Sequence, residues 1–582
     1  MSIQSVTTHN HVKRTGAHFT PKGLASFVAQ RIIATLALES YRSLRVLDPA
    51  CGDGELLSAF ADAIPKDQLP KISLHGVESD LSSVIEARKR LAKLLPQASH
   101  VQEGDFLHLV QATSSQLSLF HEQPSFDLAD DPVDVIIANP PYVRTQVLGT
   151  NRAQELAAAF DLQGRVDLYH AFLVAMTQCL APGGILGVIT SNKFLTTKGG
   201  ASVRGFLNRE YDVIEIFDLG DTKLFEAAVL PAIFVGRRRD HTVTSSVRGR
   251  QTRFMRIYEE SRHVRCVEKP VYHAPSVYAA LTNAQDGRYQ IGERYFEVAT
   301  GSFSIPNSSA PWQMTTTTES HWLQIVNSRS HLCIADVAKV RVGIKTCADN
   351  VFIRTDWDTL DQNTRPEKEL LHRLLSHDDA KRWTRNVEAR PKYIVYPHES
   401  KNGKRVVINL TTYPGAAAHF EGHYEQLNNR RYVLQAGRQW FEIWVPQDPS
   451  LWTRPKVVFP DISAEPKFFF DDQGFLVDGN CYWITLDDKH DLDLLFLIQA
   501  VANSKLMTQY HDASFHNKLY AGRRRYLTQY VERYPLPDPD SALAQRLISL
   551  AKDLVYHSEA EGSRVDYESE IEAALLESFG IH

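Results

Sequence analysis

Hydrophobic and polar positions along the first 240 residues follow two periods. Short apolar runs with strand character occur at Arg45–Leu47, Ile72–Val77, Val133–Ala138, Ile185–Ile189, Val213–Phe217 and Ala232–Gly236. Between several of them, apolar residues recur at three- and four-residue spacing, over Lys22–Leu38, Leu81–Leu95 and Leu168–Leu180. Thr20-Pro21 offers an N-cap and a first-turn proline for the first of these helices. Strands and helices in alternation predict a mostly parallel, doubly wound α/β sheet.

After Arg239 the pattern changes. His241–Thr252 is polar and reads as a linker or long turn, and Ser302–Thr318 is a loop rich in Ser, Thr and Pro. From Ile334 to about Leu536 the apolar runs are short and aromatic, as at Tyr393–Tyr396, Lys456–Phe459, Phe468–Phe470 and Cys481–Leu486. One long helix is expected over Leu492–Tyr510, and one or two more over Ser541–Phe579. At 582 residues the chain exceeds a single core. Three parts are expected: residues 1–245, a mixed α+β region at 246–540, and a helical acidic tail at 541–582.

Composition narrows the class. An apolar fraction of 43% and a charged fraction of 23% are those of an ordinary globular protein. No run reaches 18 apolar residues, and Met1 to Lys13 lacks an apolar signal core, so a membrane protein is not expected. The six cysteines are scattered with no C-x-x-C pair. A zinc or disulfide framework is therefore not expected, and a reducing bacterial cytoplasm fits best. The net charge of −5 gives no support for a nucleic-acid partner. Its distribution is more useful: residues 1–240 sum to −3, residues 241–537 to +5 and residues 538–582 to −7. A mildly basic middle region suits a surface that faces DNA.

Candidate chemistry begins in the turn after the first strand, Asp48-Pro49-Ala50-Cys51-Gly52-Asp53-Gly54. Gly52 and Gly54 allow a tight turn and a close approach to a ligand. Glu78 ends the next strand, where a carboxylate can hold ribose hydroxyls. A dinucleotide loop would carry a third glycine where this chain has Leu57. Asp48 and Asp53 would make a poor cradle for a pyrophosphate. They suit a cationic ligand better, the amino group of S-adenosyl-L-methionine (AdoMet) being one candidate. Asp105-Phe106 adds an acid for an adenine amino group and a ring to pack on it.

The second cluster is Asn139-Pro140-Pro141-Tyr142, directly after the Val133–Ala138 strand. Ligands of open α/β sheets bind at such carboxyl ends. The Asn139 oxygen and the Pro140 carbonyl can each accept one hydrogen of a planar amine, and the Tyr142 ring can stack on the base that carries it. A base in duplex DNA must leave the stack to reach such a pocket. Phe225, in the loop before Ala232–Gly236, is a candidate for the other face or edge of that base.

In this order, residues 14 to about 240 resemble the gamma class of DNA adenine-N6 methyltransferases, of the TaqI kind. The resemblance runs through Thr15-Gly16-Ala17-His18-Phe19-Thr20-Pro21, the glycine loop, Glu78, Asp105-Phe106 and the tetrapeptide. It continues through Asp167-Leu168-Tyr169, Gly183-Gly184, Ser191-Asn192-Lys193 and the Phe225 loop. It implies an AdoMet-dependent methyltransferase sheet, a target-recognition domain after it, and site-specific methylation of double-stranded DNA. A cognate restriction endonuclease acting on the same site would be a natural further partner, and neither a metal nor a membrane is implied. By resemblance, Thr20, Asp48, Ala50, Gly52, Glu78, Asp105, Phe106 and Asn139 would meet the cofactor. Asn139, Pro140, Tyr142 and Phe225 would meet the target adenine. The C-terminal half resembles the recognition domains less specifically, through Ala338–Ile344 and the stretch around Lys518, Arg523, Arg524 and Arg525. That last basic cluster, set among Tyr520, Tyr526 and Tyr530, is expected to contact phosphates or a guanine edge.

Pro460-Asp461 with Glu465-Pro466-Lys467 imitates a nuclease metal site. Only three residues separate the two acids, too few for two convergent strands, so a fused restriction–modification enzyme is a minor alternative. Methylation of RNA or of a protein glutamine is the other. Against it stand roughly 300 residues beyond the first part, which suit a large substrate read over an extended surface. A DNA-binding protein with an inactive fold is disfavoured by the intact Glu78, Asn139 and Tyr142.

Overall fold

The computed structural model describes residues 19–581 except 115–131, 143–149, 161, 163–167, 221, 223–229, 243–250, 261–269, 284, 304, 306–310, 402, 488–490, 516–518, 520–521 and 558–560. Two compact units divide the chain. One runs to Thr317 and includes Tyr520–Gly522; the other holds Thr318–Leu519 and Arg523–His582.

In the first unit, helix α1 (Lys22–Ile33) precedes strand β1 (Leu44–Asp48). Helix α2 (Glu55–Ala63), strand β2 (Ile72–Glu78), helix α3 (Leu81–Ala92), strand β3 (Ser99–Glu103) and helix α4 (Phe106–Ser114) follow in alternation. Strands β4 (Val133–Ala138), β5 (Leu180–Ser191), β6 (Tyr211–Asp218) and β7 (Pro231–Arg238) extend the sheet on the other side of β1. The strand order is β3-β2-β1-β4-β5-β7-β6. β7 runs antiparallel to both neighbours and the rest of this set is parallel. Apolar residues cover both faces: Leu24, Val28, Leu57 and Phe60 belong to one core, and Phe172, Met176 and Leu207 to the other. This is the doubly wound sheet that the alternation predicted. β1 and β4 are the strands at which the order reverses, and loops diverging from such a pair leave a crevice for ligands.

The sheet does not stop at residue 245. Strand β8 (Thr252–Glu259) pairs in parallel with β6. β9 (Val271–His273), β10 (Gly287–Ile291) and β11 (Arg294–Phe303) then complete an eleven-stranded sheet. The expected boundary at 245 therefore falls inside the first unit. The polar stretch before Thr252 reads as a linker because it leaves the sheet, but its far end returns to cover an otherwise open edge.

The second unit holds two four-stranded sheets. One orders Ala338–Val342, Cys481–Leu486, Lys456–Pro460 and Phe469–Asp471; the other combines Ile353–Arg354, Lys392–Val395, Leu371–Leu375 and Leu476–Val477. The expected helix Leu492–Tyr510 is two helices, Asp493–Asn503 and Lys505–Phe515. Ser504 leaves the helical region (ψ 157°), and its hydroxyl accepts from the Met507 amide at 2.9 Å, so it caps the second helix. The tail is not separate. Helices Ala542–Tyr556 and Glu561–Ser578 bury Leu547, Ile571 and Leu575 in the same core as Phe496 and Ile498.

Candidate active site

β1 ends on Asp48, and the chain turns at once. Gly52 (φ 53°) and Gly54 (φ 82°) adopt left-handed conformations, and Gly54 caps α2. The turn is fixed from β2: the Cys51 amide donates to the Val77 carbonyl at 2.9 Å, and the Gly52 amide to Glu78 Oε2 at 2.9 Å. Glu78 Oε1 accepts from the Asp80 amide at 2.9 Å. Both Glu78 oxygens are thus oriented by backbone donors, with lone pairs left for hydroxyls.

Asp48 is 1% exposed. Its Oδ1 accepts from the Ala50 amide at 3.1 Å, whereas Oδ2 is buried with no hydrogen-bond partner among the described residues. Burial pushes this carboxyl up to about 8, opposed by the Ala50 bond and assisted by the Glu78 charge. A buried carboxylate with an unfilled acceptor suits a cationic ligand. The other two acids of the turn are spent elsewhere: Arg90 on α3 pairs with Asp53 at 2.8 Å and with Glu55. Burial raises the Cys51 thiol well above its usual range, so it serves as packing.

Asn139 emerges from β4 beside this turn, because β1 and β4 pair in parallel through Val46–Val135 and Leu47–Ile136. Its Nδ2 donates to Thr20 Oγ1 at 3.1 Å, just ahead of α1. Its Oδ1 accepts from the Tyr142 hydroxyl at 2.9 Å. Thr20, expected at the cofactor, and Tyr142, expected at the target base, are therefore both bonded to Asn139. Burial pushes the Tyr142 phenol well above its ordinary value, so it stays a donor. Pro140 is buried behind them. Tyr142→Phe keeps the ring and removes only the hydroxyl bond, of order 1 kcal/mol. Turnover is expected to stay within about tenfold of wild type in steady-state assays, whereas Tyr142→Ala should lose far more.

The remaining expectations fare unevenly. Asp105 is partly exposed; its Oδ1 accepts from the Leu107 amide at 3.0 Å, and Arg152 lies 3.7 Å from Oδ2. Phe106 is 2% exposed and stacks on Phe172 at 5.7 Å in the core, so it offers no open face to a ligand. Its role is to seat α4 and hold Asp105 at the strand end. Phe225, Lys518 and residues 15–18 lie outside the described residues. Phe19 does not: it is 67% exposed, and a Cβ added at Gly52 would lie 3.8 Å from its ring.

The basic cluster needs correction. Arg524 is bound to Asp512 by two bonds of 2.6 and 2.8 Å and also donates to the Ala464 carbonyl at 2.7 Å. Asp512 neutralises it, and its pairing holds the guanidinium above its ordinary value. Arg525 lies 3.5 Å from Asp461; Arg523 is exposed. Sequence spacing shows a run of charges but not the acids that fold back onto it. Arg524→Ala leaves Asp512 partly buried without its partner, an expected cost of about 1–3 kcal/mol. The variant should melt earlier in thermal denaturation while the salt dependence of any DNA binding stays unchanged. The nuclease-like acids also part: Asp461 faces Arg525, and Glu465 is 3.7 Å from Arg382. Among the described residues no group of three or more His, Cys, Asp or Glu side chains is placed to hold a metal. No described helix is long and apolar enough to cross a membrane.

One cluster went unnoticed in the sequence. Asp218, fully buried at the end of β6, accepts from Asn192 Nδ2 at 3.0 Å, from the Gly220 amide at 3.1 Å and from the Tyr258 hydroxyl. The Asn192 amide in turn donates to the Leu230 carbonyl at 2.8 Å. Both ends of the 220–230 connection are thereby tied to β5, β6 and β8. An acid two residues before a glycine at a strand end was the available signal.

A glycine turn braced by the carboxylate of the next strand, beside a strand that ends in Asn-Pro-Pro-Tyr, is the arrangement of a methyltransferase sheet. Comparison with known proteins agrees. Residues 73–225 match the Eco57I restriction-modification methylase family, and residues 385–536 match the TaqI-like C-terminal specificity domain. The chain is 44% identical to the Type II methyltransferase M.BanIII of Aneurinibacillus aneurinilyticus, over 98% of this chain and 97% of that protein. It is 24% identical to the Type II methyltransferase M.BstVI of Geobacillus stearothermophilus, over 95% of each. The structure of the Type IIL restriction-modification enzyme MmeI in complex with DNA shares the fold, with a TM-score of 0.59 at 11% identity. That match covers 100% of this chain and 74% of MmeI. The chain belongs to the Type II restriction–modification methyltransferases.

Proposed function

We propose that this enzyme transfers a methyl group from AdoMet to the N6 amine of adenine at specific sites in double-stranded DNA, as the modification partner of a restriction system. The first unit performs the chemistry, and the second reads the sequence. The observation that carries this reading is that Asn139, bonded to Thr20 and Tyr142, leaves the end of β4, while the neighbouring strand β1 ends on the buried, half-unsatisfied Asp48.

AdoMet supplies a methyl group on a sulfonium, a strong leaving group. Asp48 Oδ2 would take its ammonium and Glu78 its ribose hydroxyls, with Asp105 near the adenine. The acids of this turn fit such a cation and would repel a pyrophosphate. Asn139 Oδ1 and the Pro140 carbonyl accept the two hydrogens of the target amine. This withdraws the nitrogen lone pair from the ring and makes it nucleophilic. Thr20 fixes the Asn139 amide, so its oxygen is preorganised for that amine. The Tyr142 hydroxyl donates to that oxygen. An incoming amine displaces it, leaving the ring to stack on the base. The target must be extruded from the duplex to reach this position.

Replacing the target adenine by 2-aminopurine tests extrusion directly. A rise in fluorescence on binding is expected. Binding without such a rise would contradict a flipped base. Offering radiolabelled AdoMet to duplex DNA, RNA and protein side by side tests the acceptor, and labelling is expected in DNA alone.

A further inference from the structure

The arginines of the second unit are held in different ways. Arg373, Arg382 and Arg524 meet carboxylates. A second group is held by backbone carbonyls instead. Arg405 donates to the Gln447 carbonyl at 3.0 Å, and Arg430 to those of Leu427, Thr346 and Trp440. Arg438 Nη1 donates to the carbonyls of Ile443 and Trp444. A carbonyl fixes a guanidinium without cancelling its charge. These arginines are therefore ordered; Arg430 is buried, whereas Arg405 and Arg438 keep their charge at the surface.

Burial and the nearby Arg405 and Arg438 charges hold the His398 imidazole well below its ordinary value, so these two arginines lie close together. Gln447, which holds Arg405, is three residues past Trp444, over whose ring the Arg438 guanidinium lies at 5.2 Å. Tyr432 packs edge-on against the same Trp444 at 5.0 Å. Tyr432 and Tyr424 are 41% and 48% exposed, far above the rest of the aromatic core. Arg431, between the buried Arg430 and Tyr432, is exposed and forms no ion pair among the described residues. Of the acids within 424–448, Glu442 is engaged by the Gln439 amide at 2.7 Å and Asp448 by the Ser450 amide at 3.0 Å and hydroxyl at 2.9 Å; Glu425 and Asp448 stand exposed, and neither forms an ion pair with these arginines among the described residues. Exposed aromatics among uncompensated, ordered cations are poorly suited to solvent and well suited to a polyanion.

We propose that this face, and not the Arg523–Arg525 cluster, is where the second unit contacts duplex DNA, with Arg438 reading a guanine edge and Arg431 and Arg405 meeting phosphates. The proposal rests on the DNA reading above and adds the surface. Arg438 is singled out by its geometry. With Nη1 held by two carbonyls and its plane set by Trp444, its Nε–Nη2 edge has no partner among the described residues. A rigid guanidinium with one free edge is suited to two parallel bonds to guanine O6 and N7. Arg431, on a free side chain, suits a phosphate, which needs charge but no fixed plane.

The test modifies plasmid DNA with wild-type enzyme, Arg438→Ala and Arg431→Ala, maps every modified position by sequencing, and measures duplex binding against salt. Wild-type modification of one motif is the control; no modification of DNA by wild type would defeat the functional reading itself. Given that control, Arg438→Ala should lose about 5- to 150-fold in kcat/KM at the wild-type motif and relax it at a guanine position. Arg431→Ala should keep the motif, bind every duplex more weakly, and lower the salt slope by about 1. An unaltered motif and efficiency in Arg438→Ala would overturn the assignment of Arg438. If that variant fails to fold, Arg431→Ala decides: a wild-type salt slope would overturn the surface. So would a change in sedimentation with unchanged DNA binding, which would mark the face as a contact between copies of this chain.

Discussion

Asn139→Ala is expected to lower methyl transfer by about 10²- to 10³-fold or more, the cost of removing one preorganised acceptor from a reacting centre. Affinity for AdoMet should change little, because Asp48 and Glu78 lie on β1 and β2 and are oriented by backbone bonds that do not involve Asn139. The small change that is expected comes through Thr20, which loses its 3.1 Å contact with Asn139. Single-turnover kinetics together with calorimetric cofactor binding separate the two effects. Substantial residual turnover would remove Asn139 from the chemistry. A large loss of cofactor affinity would make it a structural strut.

The second large effect concerns Asp48. Its carboxyl is pushed from 3.8 up to about 8 by burial, so at neutral pH the ligand-free protein holds it mostly protonated. The raised value favours the fold below the unfolded value of 3.8. That advantage diminishes as pH rises from about 4 towards about 8. Asp48→Asn removes this titration. Its melting temperature relative to wild type should therefore climb across that window. Cofactor binding should respond in the opposite sense. A cationic amine needs the ionised carboxylate, so wild-type affinity should rise with pH up to about 8, and binding at neutral pH should release nearly one proton. Calorimetry in buffers of different ionisation enthalpy measures that release. Asp48→Asn should release none and bind about 10- to 100-fold more weakly, the range for losing a charge-assisted hydrogen bond. Equal proton release by the two proteins would assign the titration to another group.

Much of the first unit was legible because its signals are local. Val133–Ala138 is a strand in both readings, since a run apolar but for Asp134 and stopped by Asn-Pro-Pro leaves little choice. Leu168–Cys179 was recovered for the same reason. Ser99–Glu103 was missed because only Val101 within it is buried; an edge strand needs few apolar residues. The boundary at 245 failed because β8 pairs with β6, more than thirty residues earlier, and a partner at that separation leaves no mark in local periodicity. The break at Ser504 depends on a hydroxyl capping its own chain, which the apolar pattern runs straight through.

The site shows the same division. That Asp48, Gly52, Glu78 and Asn139 fall at the ends of adjacent strands was readable, because β2, β1 and β4 pair in parallel and end on the same side. Phe106 was misjudged because an aromatic after a strand serves the core as well as a ligand, and Phe172, sixty-six residues later, decides the matter. Arg524 was misjudged because its neutralising acid, Asp512, lies on the preceding helix Lys505–Phe515, whose face only packing reveals. Charge compensation is a property of the folded surface, and composition cannot report it.

The most direct test of the central claim is nucleoside mass spectrometry of unmethylated plasmid incubated with AdoMet and either wild-type enzyme or Asn139→Ala. The account predicts N6-methyladenine with wild type, no methylated cytosine, and loss of the signal in the variant. Methylated cytosine, or no methylated base despite measurable AdoMet binding, would contradict it.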